Sequence, residues 1–284
     1  VGRSALPERA AWRDIDPKTP LGKRLERLSA LEKAGGEVVY EAADIGDRKR
    51  LSEIVDAAEK CFGQKLAGVL HMAGEGDIAS HFSALEERLL SSETREGFDL
   101  YFRTKLRGTM TLFELVENRR EAAFIAFSSV NGLFGGATFG AYSAASSFID
   151  GFCAEKRARG NHRVRSFNWT MWNDVGMNEG APAAAKEGSR ALGYRLISRD
   201  QGYFSLLAGL SRDCDALAIG LGERAVVTPV TGPKVRFGTP YFVNQAQAAF
   251  DNYTHIPLAT PIPVPAEMLA SFLKCLRLEP GFTR

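Results

Sequence analysis

The sequence predicts an α/β fold built on a doubly wound parallel sheet. Segments of strand character alternate with segments of helical character, and two of the strand segments are apolar along nearly their whole length. Such alternation favours parallel strands joined by helical crossovers, and continuous apolar runs are typical of strands that are covered on both faces. With 284 residues, 45% of them hydrophobic and 25% charged, the chain is long enough to bury a sheet of this kind.

The first part of the predicted fold lies in residues 1–74. Val1-Gly2 is typical of the end of a strand, while residues 21–36 (LGKRLERLSALEKAGG) have leucines at helical spacing and stop on two glycines. Residues 37–43 (EVVYEAA) predict a β-branched strand. An amphipathic helix follows over residues 47–63, and residues 66–74 (LAGVLHMAG) predict a buried strand.

The second part continues the same alternation. The predicted elements are a helix over 94–117, a strand over 122–129 (AAFIAFSS), a helix over 141–160 and a strand over 164–170 (VRSFNWT). Ser198 and Gln201 have the spacing of a capping box before an apolar helix, and residues 216–221 (ALAIGL) predict a further strand.

Beyond about residue 224 the pattern of helices and strands dissolves. This tail is rich in proline, at Pro257, Pro261, Pro263 and Pro265. We therefore predict one domain over residues 1–223, followed over 224–284 by a linker and part of a neighbouring element.

Composition argues against several classes of function. A formal net charge of +2 gives too weak a positive field to favour a nucleic-acid partner. No apolar run approaches the ~20 residues that cross a bilayer, and the N-terminus lacks a signal pattern, so we predict a cytoplasmic protein without a membrane partner. The cysteines are scattered without ligand spacing, which predicts reduced thiols and no metal site; they are Cys61, Cys153, Cys214 and Cys275.

Polar residues gather at the predicted carboxyl ends of two strands. Ser128 and Ser129 end one strand, residues 168–172 end the next, and Tyr142 opens the helix between them. In an open parallel sheet these positions face one crevice. A phenol, with a reference pKa of ~10, is a poor acid at neutral pH unless a cation lies close by, and Lys105 on the preceding helix is the candidate.

The spacing of these residues resembles that of the ketoreductase domains of modular polyketide synthases, a branch of the short-chain dehydrogenase/reductase family. Lys105 precedes Ser129 by 24 residues, and Tyr142 follows Ser129 by 13. The segments GVLHMAG, KLRGTMTLFEL, FSSVNGLFG, AYSAASSFIDGF and NWTMWNDVGM resemble consecutive segments of that family in the same order, and the resemblance covers roughly residues 1–222. It implies a Rossmann-like fold.

The resemblance also implies roles for individual residues. It assigns Lys105, Ser129 and Tyr142 to catalysis, together with position 146, where the family usually has asparagine and this chain has Ser146. On the cofactor side it implies NADPH, held by Arg3 at the 2′-phosphate, Asp44 at adenine, Ala73-Gly74 and Val175 by their backbones, and Lys105 and Tyr142. The family's first strand, glycine-rich loop and helix are expected upstream of Val1, so this fragment alone is expected to bind NADPH poorly and to be inactive or weakly active.

The function implied by the resemblance is reduction of a β-ketoacyl thioester to the β-hydroxyacyl thioester. The substrate is expected on the phosphopantetheine of an acyl carrier protein, with other synthase domains in the same polypeptide. Two alternatives stay open. One is an inactive ketoreductase-like structural module, which Ser146 and the missing phosphate loop favour; the other is a stand-alone dehydrogenase, which the lysine at position 105 and the loop-rich segment after residue 224 disfavour. Ile78 and Phe134 occupy the positions that the family uses to set alcohol stereochemistry, and they indicate neither class.

Three further features have competing interpretations. Gly74 to Ala79 fits a loose GxGxxA dinucleotide loop, but two strand–helix units precede it, so we do not assign the phosphate loop there. His71 is interpreted as a core histidine. A run of basic residues indicates either cations at a helix C-terminus or a docking patch for an acidic carrier protein; it comprises Lys156, Arg157, Arg159, Arg163 and Arg165.

Overall fold

The computed structural model describes residues 1–74, 89–119, 121–136, 138–173, 175–214 and 216–222. They fall into two compact units, Val1–Ala67 and a second unit that begins at Gly68. The predicted linker over 224–284 lies entirely outside the described residues. Of the Gly74 to Ala79 motif, Gly74 alone is described.

The first unit contains a 3-10 helix and two α-helices. The 3-10 helix is Arg9–Asp14, α1 is Pro20–Lys33 and α2 is Arg48–Phe62. The Thr19 side chain caps α1 by accepting a hydrogen bond from the Gly22 amide, and Asp47 caps α2 in the same way through the Arg50 amide. Helix α2 ends at Gly63, whose φ of 63° is the left-handed conformation that glycine adopts at little cost. Both helices confirm the predicted positions.

The prediction of a strand over residues 37–43 is wrong. A single bridge joins Gly2 to Ala42, with Gly2 N donating to Glu41 O at 3.1 Å and Ala43 N donating to Gly2 O at 3.0 Å. A strand needs a ladder of such bonds to a neighbour, and in the described part of the chain the pairing stops after this bridge. The β-branched composition of the segment carried no information about that partner.

The second unit is organised on a four-stranded sheet. Its strands are β1 (Gly68–His71), β2 (Ala123–Ser129), β3 (Val164–Trp169) and β4 (Ala216–Ile219). They lie in the order β1-β2-β3-β4, and every neighbouring pair is parallel. Helices flank the sheet, so the predicted α/β fold with a parallel sheet is confirmed.

The second unit contains the predicted helices, with one change in the long helix before β2, and two helices that were not predicted, Val130–Phe134 and Ala183–Ala191. The helices are α3 (Arg95–Phe102), α4 (Gly108–Glu114), α5 (Val130–Phe134), α6 (Gly140–Ala158), α7 (Ala183–Ala191) and α8 (Arg199–Leu210). A 3-10 turn lies at Gly176–Asn178. A π-helical segment, Arg103–Arg107, separates α3 from α4. The predicted capping box of α8, formed by Ser198 and Gln201, is confirmed.

The core of this unit lies between β2, β3 and helix α6. Phe124 on β2, Phe167 on β3 and Ile149 on α6 are completely buried. The Trp169 and Trp172 rings, 4.8 Å apart between centroids, extend this packing beyond the end of β3. In the part of the chain that is described, no helix has both the length and the apolar composition of a membrane span.

Candidate active site

Lys105 and Tyr142 come together between the π-helical segment and helix α6. Lys105 is 4% exposed, and its Nζ lies 4.9 Å from the centroid of the Tyr142 ring. Tyr101 of α3 packs edge-on against the same ring, with 5.5 Å between the centroids. A π-helical turn carries one extra residue per turn and is often found at functional sites, and here it places a buried cation against a phenol.

Ser129 ends β2 and at the same time begins helix α5. Its Oγ accepts a hydrogen bond from the Asn131 amide at 3.2 Å, which is an N-cap, and its carbonyl oxygen accepts from Asn168 Nδ2 at 3.3 Å. Since the Oγ is the acceptor in the cap, its own proton stays available to donate to a bound ligand.

Gly132 lets the turn after Ser129 approach helix α6. A Cβ at this position would lie 2.9 Å from the Ser147 nitrogen and 3.0 Å from the Ser146 carbonyl carbon, both of them backbone atoms. Only glycine allows the two elements to pack this closely. The segment FSSVNGLFG therefore holds Ser129 against the helix whose first turn carries Tyr142.

Ser146, the fourth predicted catalytic residue, is completely buried in α6, one helical turn after Tyr142. Its carbonyl oxygen accepts a hydrogen bond from Ser128 Oγ at 3.1 Å. Its own hydroxyl has no hydrogen-bond partner among the described residues. The backbone of Ser146 therefore links α6 to β2, while its hydroxyl makes no hydrogen bond to the described residues.

The predicted cofactor residues lie in both units. Ala73 and Gly74 follow β1 and are exposed, and the one described atom that a Cβ at Gly74 would meet is Met177 Cε, at 4.0 Å, so within the described part of the chain their backbone is open to a ligand. Val175 begins the 3-10 turn near the end of β3. Arg3 and Asp44 lie exposed in the first unit, where Asp44 Oδ1 accepts from the Gly46 amide at 2.8 Å. The open backbone after β1 and the buried ammonium of Lys105 fit a nicotinamide cofactor.

Two residues at the centre of the site, Asp150 and Asn168, were not among the predicted site residues. Asn168 Nδ2 donates to Asp150 Oδ2 at 2.6 Å. Burial raises the pKa of Asp150, and the hydrogen bond from Asn168 and the charge on Lys105 oppose this shift. A signal was present in the sequence: the carboxylate stands four residues after Ser146, on the stripe of α6 that faces the sheet.

His71 lies at the end of β1, as predicted for a core histidine, but it is not a satisfied one. The side chain is almost completely buried, and neither ring nitrogen has a hydrogen-bond partner in the described residues. Burial, and to a smaller extent the charge of Lys105, lowers the pKa of His71 to about 4.

This shift predicts a loss of stability on acidification. At pH values between the ordinary histidine pKa of ~6.5 and the lower pKa of His71 in the folded chain, the unfolded chain binds a proton that the folded chain does not. The free energy of unfolding therefore decreases as the pH is lowered through this range, by up to roughly 3 kcal/mol. Urea unfolding of His71→Phe at several pH values is expected to lack this component. The exposed His162→Gln serves as control, and equal pH dependence in wild type and His71→Phe contradicts the prediction.

The run of basic residues is paired within the chain. Arg157 binds the Asp213 carboxylate, Arg163 Nη2 contacts Glu121 Oε2 at 2.6 Å, and Arg165 Nη1 donates to Leu210 O at 2.6 Å. The remaining members, Lys156 and Arg159, both contact Glu155. This pairing agrees with the interpretation of the run as cations near a helix C-terminus, and the docking patch stays a prediction.

Comparison with known proteins agrees with this arrangement. The family model described as KR domain matches residues 8–174. A 6-methylsalicylic acid synthase of Arthrobotrys oligospora is 29% identical over 203 residues, which are 72% of this chain and 11% of the relative. A phenolphthiocerol/phthiocerol polyketide synthase of Mycobacterium tuberculosis is 27% identical over 203 residues of one of its subunits, 72% of this chain and 10% of the relative. The chain thus spans about a tenth of the length of these relatives.

Solved structures show the same fold. A ketoreductase domain from the bacillaene assembly line superposes with a TM-score of 0.61 at 27% identity, covering 76% of this chain and 47% of that one. The first ketoreductase of the tylosin polyketide synthase gives a TM-score of 0.57 at 26% identity, covering 73% and 41%. Since the family model spans more than half of the sequence, the chain belongs to the KR domain family, the ketoreductases found in polyketide synthases, and so to a family of oxidoreductases.

Proposed function

We propose that the protein contributes the NADPH-dependent reduction of a β-ketoacyl thioester, bound to an acyl carrier protein, to the β-hydroxyacyl thioester. The observation that carries the proposal is the Lys105 ammonium 4.9 Å from the centroid of the Tyr142 ring in a buried setting. A phenol beside a buried cation is suited to give up a proton, because the cation stabilises the oxygen charge that remains.

The residues divide the work at the ketone oxygen. Tyr142 gives its hydroxyl proton to that oxygen, and the positive charge of Lys105 stabilises the resulting phenolate. The Ser129 hydroxyl, whose oxygen is fixed by the Asn131 amide, donates a hydrogen bond to the same ketone oxygen. Both groups act on one atom, so charge that develops there is met by two donors.

The proposed cofactor residues serve different parts of NADPH. Arg3 and Asp44 are proposed for the adenosine end, and Lys105 and Tyr142 for the ribose beside the nicotinamide. The exposed backbone of Ala73-Gly74 and the backbone of Val175 complete the proposed set. A bound NADPH supplies the hydride that the ketone carbon accepts.

The relatives support a proposal about the neighbouring domains of this protein. The Arthrobotrys and Mycobacterium relatives are named as synthases, and this chain matches about a tenth of each. We therefore propose other synthase domains as its neighbours, and we further propose that an acyl carrier protein delivers the substrate and that the reaction takes place in the cytoplasm.

The proposal is tested by incubating the protein with a β-ketoacyl thioester, both on a carrier protein and on a short thiol, with NADPH. The expected result is a β-hydroxyacyl product, identified by mass spectrometry, in step with NADPH consumption. Folded protein that yields no product with either nicotinamide cofactor would overturn the proposal.

Arg3→Ala is expected to weaken NADPH far more than NADH. A charge-assisted hydrogen bond to the 2′-phosphate exists only with NADPH, so its loss should raise the Kd for NADPH by about 10- to 100-fold and leave that for NADH nearly unchanged. Fluorescence titration with both cofactors measures this. Arg13→Ala, an exposed arginine in the same unit, is the matched control; equal losses for both cofactors in Arg3→Ala would rule out the phosphate role.

A second candidate function is an inactive structural module of a synthase. The favouring observation is Ser146, whose buried hydroxyl has no partner among the described residues at a position where the family usually has asparagine. Cofactor binding without turnover, in a protein with cooperative unfolding, is the result that this alternative predicts.

A further inference from the structure

A buried chain of hydrogen bonds connects helix α6 to the end of β2. Asp150 Oδ2 on α6 accepts from Asn168 Nδ2 at 2.6 Å, and the same nitrogen donates to the Ser129 carbonyl oxygen at 3.3 Å. Asn168 is completely buried, so water does not substitute for either bond. The two hydrogens of one amide nitrogen therefore serve the helix that carries Tyr142 and the residue that carries the Ser129 hydroxyl.

The orientation of the Asn168 amide is fixed by its two neighbours. A carboxylate and a backbone carbonyl both accept hydrogen bonds, so only the NH₂ group of the amide fits between them. Asn168 Oδ1 has no partner among the described residues. The orientation of the amide is therefore set by the two acceptors of its NH₂ group, Asp150 Oδ2 and the Ser129 carbonyl oxygen.

Asp150 also lies against the turn that follows Ser129. A Cβ built on Gly132 would lie 3.0 Å from Asp150 Oδ2, so the carboxylate packs directly on that turn. In the sheet, Ser128 is the register partner of Asn168, which puts the strand ends of β2 and β3 side by side at this point. The Asp150 carboxylate therefore contacts the turn after β2, at Gly132, and the end of β3, at Asn168.

We propose that Asp150 is a positioning residue, which orients the Asn168 amide and thereby holds Ser129 in register with the helix that carries Tyr142. The inference rests on the proposed reductase function for its catalytic consequence. The placement of Ser129 is a structural claim, and it can be measured without turnover. Asp150 makes no contact with substrate in this role and acts only through Asn168.

Exchanging Asp150 and Asn168 distinguishes the positioning of Ser129 from a hydrogen bond that only links helix α6 to strand β3. Asn168→Asp alone sets two carboxyl groups against each other and is expected to lower the Tm. In the double variant Asp150→Asn/Asn168→Asp, the amide at 150 donates to the carboxylate at 168, so the tie is rebuilt. The carboxylate at 168 still cannot donate to the Ser129 carbonyl, so the link to Ser129 stays broken.

The double variant is expected to recover most of the Tm but not the geometry of Ser129. For thioester reduction we expect kcat to stay about 10- to 100-fold below wild type, with KM changed less than about threefold, because the misplacement affects the reacting geometry more than binding. Hydrogen exchange of the Asn131 amide, which donates to Ser129 Oγ, should be about fivefold faster than in wild type.

Glu155→Gln is the matched control, since it makes the same carboxylate-to-amide change on α6 at a residue that contacts Lys156 and Arg159 instead. It should leave Asn131 exchange and kcat unchanged. Recovery of wild-type exchange and kcat in the double variant would overturn the positioning role. If the wild type itself turns nothing over, the reductase function fails, while Asn131 exchange still decides the placement of Ser129.

Discussion

Tyr142→Phe is expected to lower kcat for ketone reduction by about 10²–10⁴-fold, because it removes the hydroxyl that gives the proton to the ketone oxygen. The ring and its packing remain, including the edge-on contact with Tyr101 and the cation above the ring. NADPH affinity should therefore change by less than about threefold, since most of the contacts to the cofactor are untouched. Steady-state kinetics with a β-ketoacyl thioester and a fluorescence titration of NADPH measure the two effects separately.

Tyr203→Phe is the control for this experiment. It deletes the same hydroxyl from a tyrosine on α8, where the hydroxyl has no hydrogen-bond partner in the described structure. Its kcat should stay close to that of the wild type. Reduction at the wild-type rate by Tyr142→Phe would show that another group donates the proton.

The elements that were predicted well are those with a strong local pattern. Strand β2 is apolar along its length and ends on two serines, and helix α8 begins with a capping box, so composition and spacing define both. Residues 37–43 have an equally good local pattern but form only the bridge at Ala42. Pairing depends on a partner that is distant in sequence, and local propensity says nothing about it.

The π-helical segment before α4 could not be predicted for a similar reason. Residues 94–117 have an ordinary helical pattern, and the departure at Arg103–Arg107 arises where α3 and the π segment pack against α6. Tertiary packing overrides helical propensity there. The consequence matters for the site, since the segment carries Lys105.

The sequence predicted the pairing of Lys105 with Tyr142, but not the buried polar residues behind it. Lys105 and Tyr142 have a recognisable spacing, and the structure places the ammonium over the phenol ring. Asp150 and Asn168 meet only because of the register between β2 and β3 and the packing of α6 on both strands. Neither condition is visible in the separation of 18 residues between them.

Removal of the Lys105 charge is the second large effect that we expect. Lys105→Met keeps a long flexible side chain but leaves the phenolate of Tyr142 without its cation, and kcat should fall by about 10²–10³-fold, the range seen when one electrostatic stabiliser of a developing charge is lost. A buried ammonium is costly to desolvate, so the free energy of unfolding should not decrease and should rise if the methionine packs well. Kinetics and urea unfolding of the same variant measure both quantities.

Lys156→Met provides a close control for this variant. Lys156 Nζ also lies near aromatic rings, 5.0 Å from the Phe113 centroid and 5.2 Å from the Phe152 centroid, but it is on the C-terminal part of α6 and is not part of the proposed catalytic set. Its removal should change kcat by less than about twofold, because a cation over a ring matters to the reaction only where that ring bears the reacting oxygen. If Lys105→Met retains wild-type turnover, the phenolate does not depend on this ammonium, and the arrangement of Lys105 over Tyr142 serves packing alone.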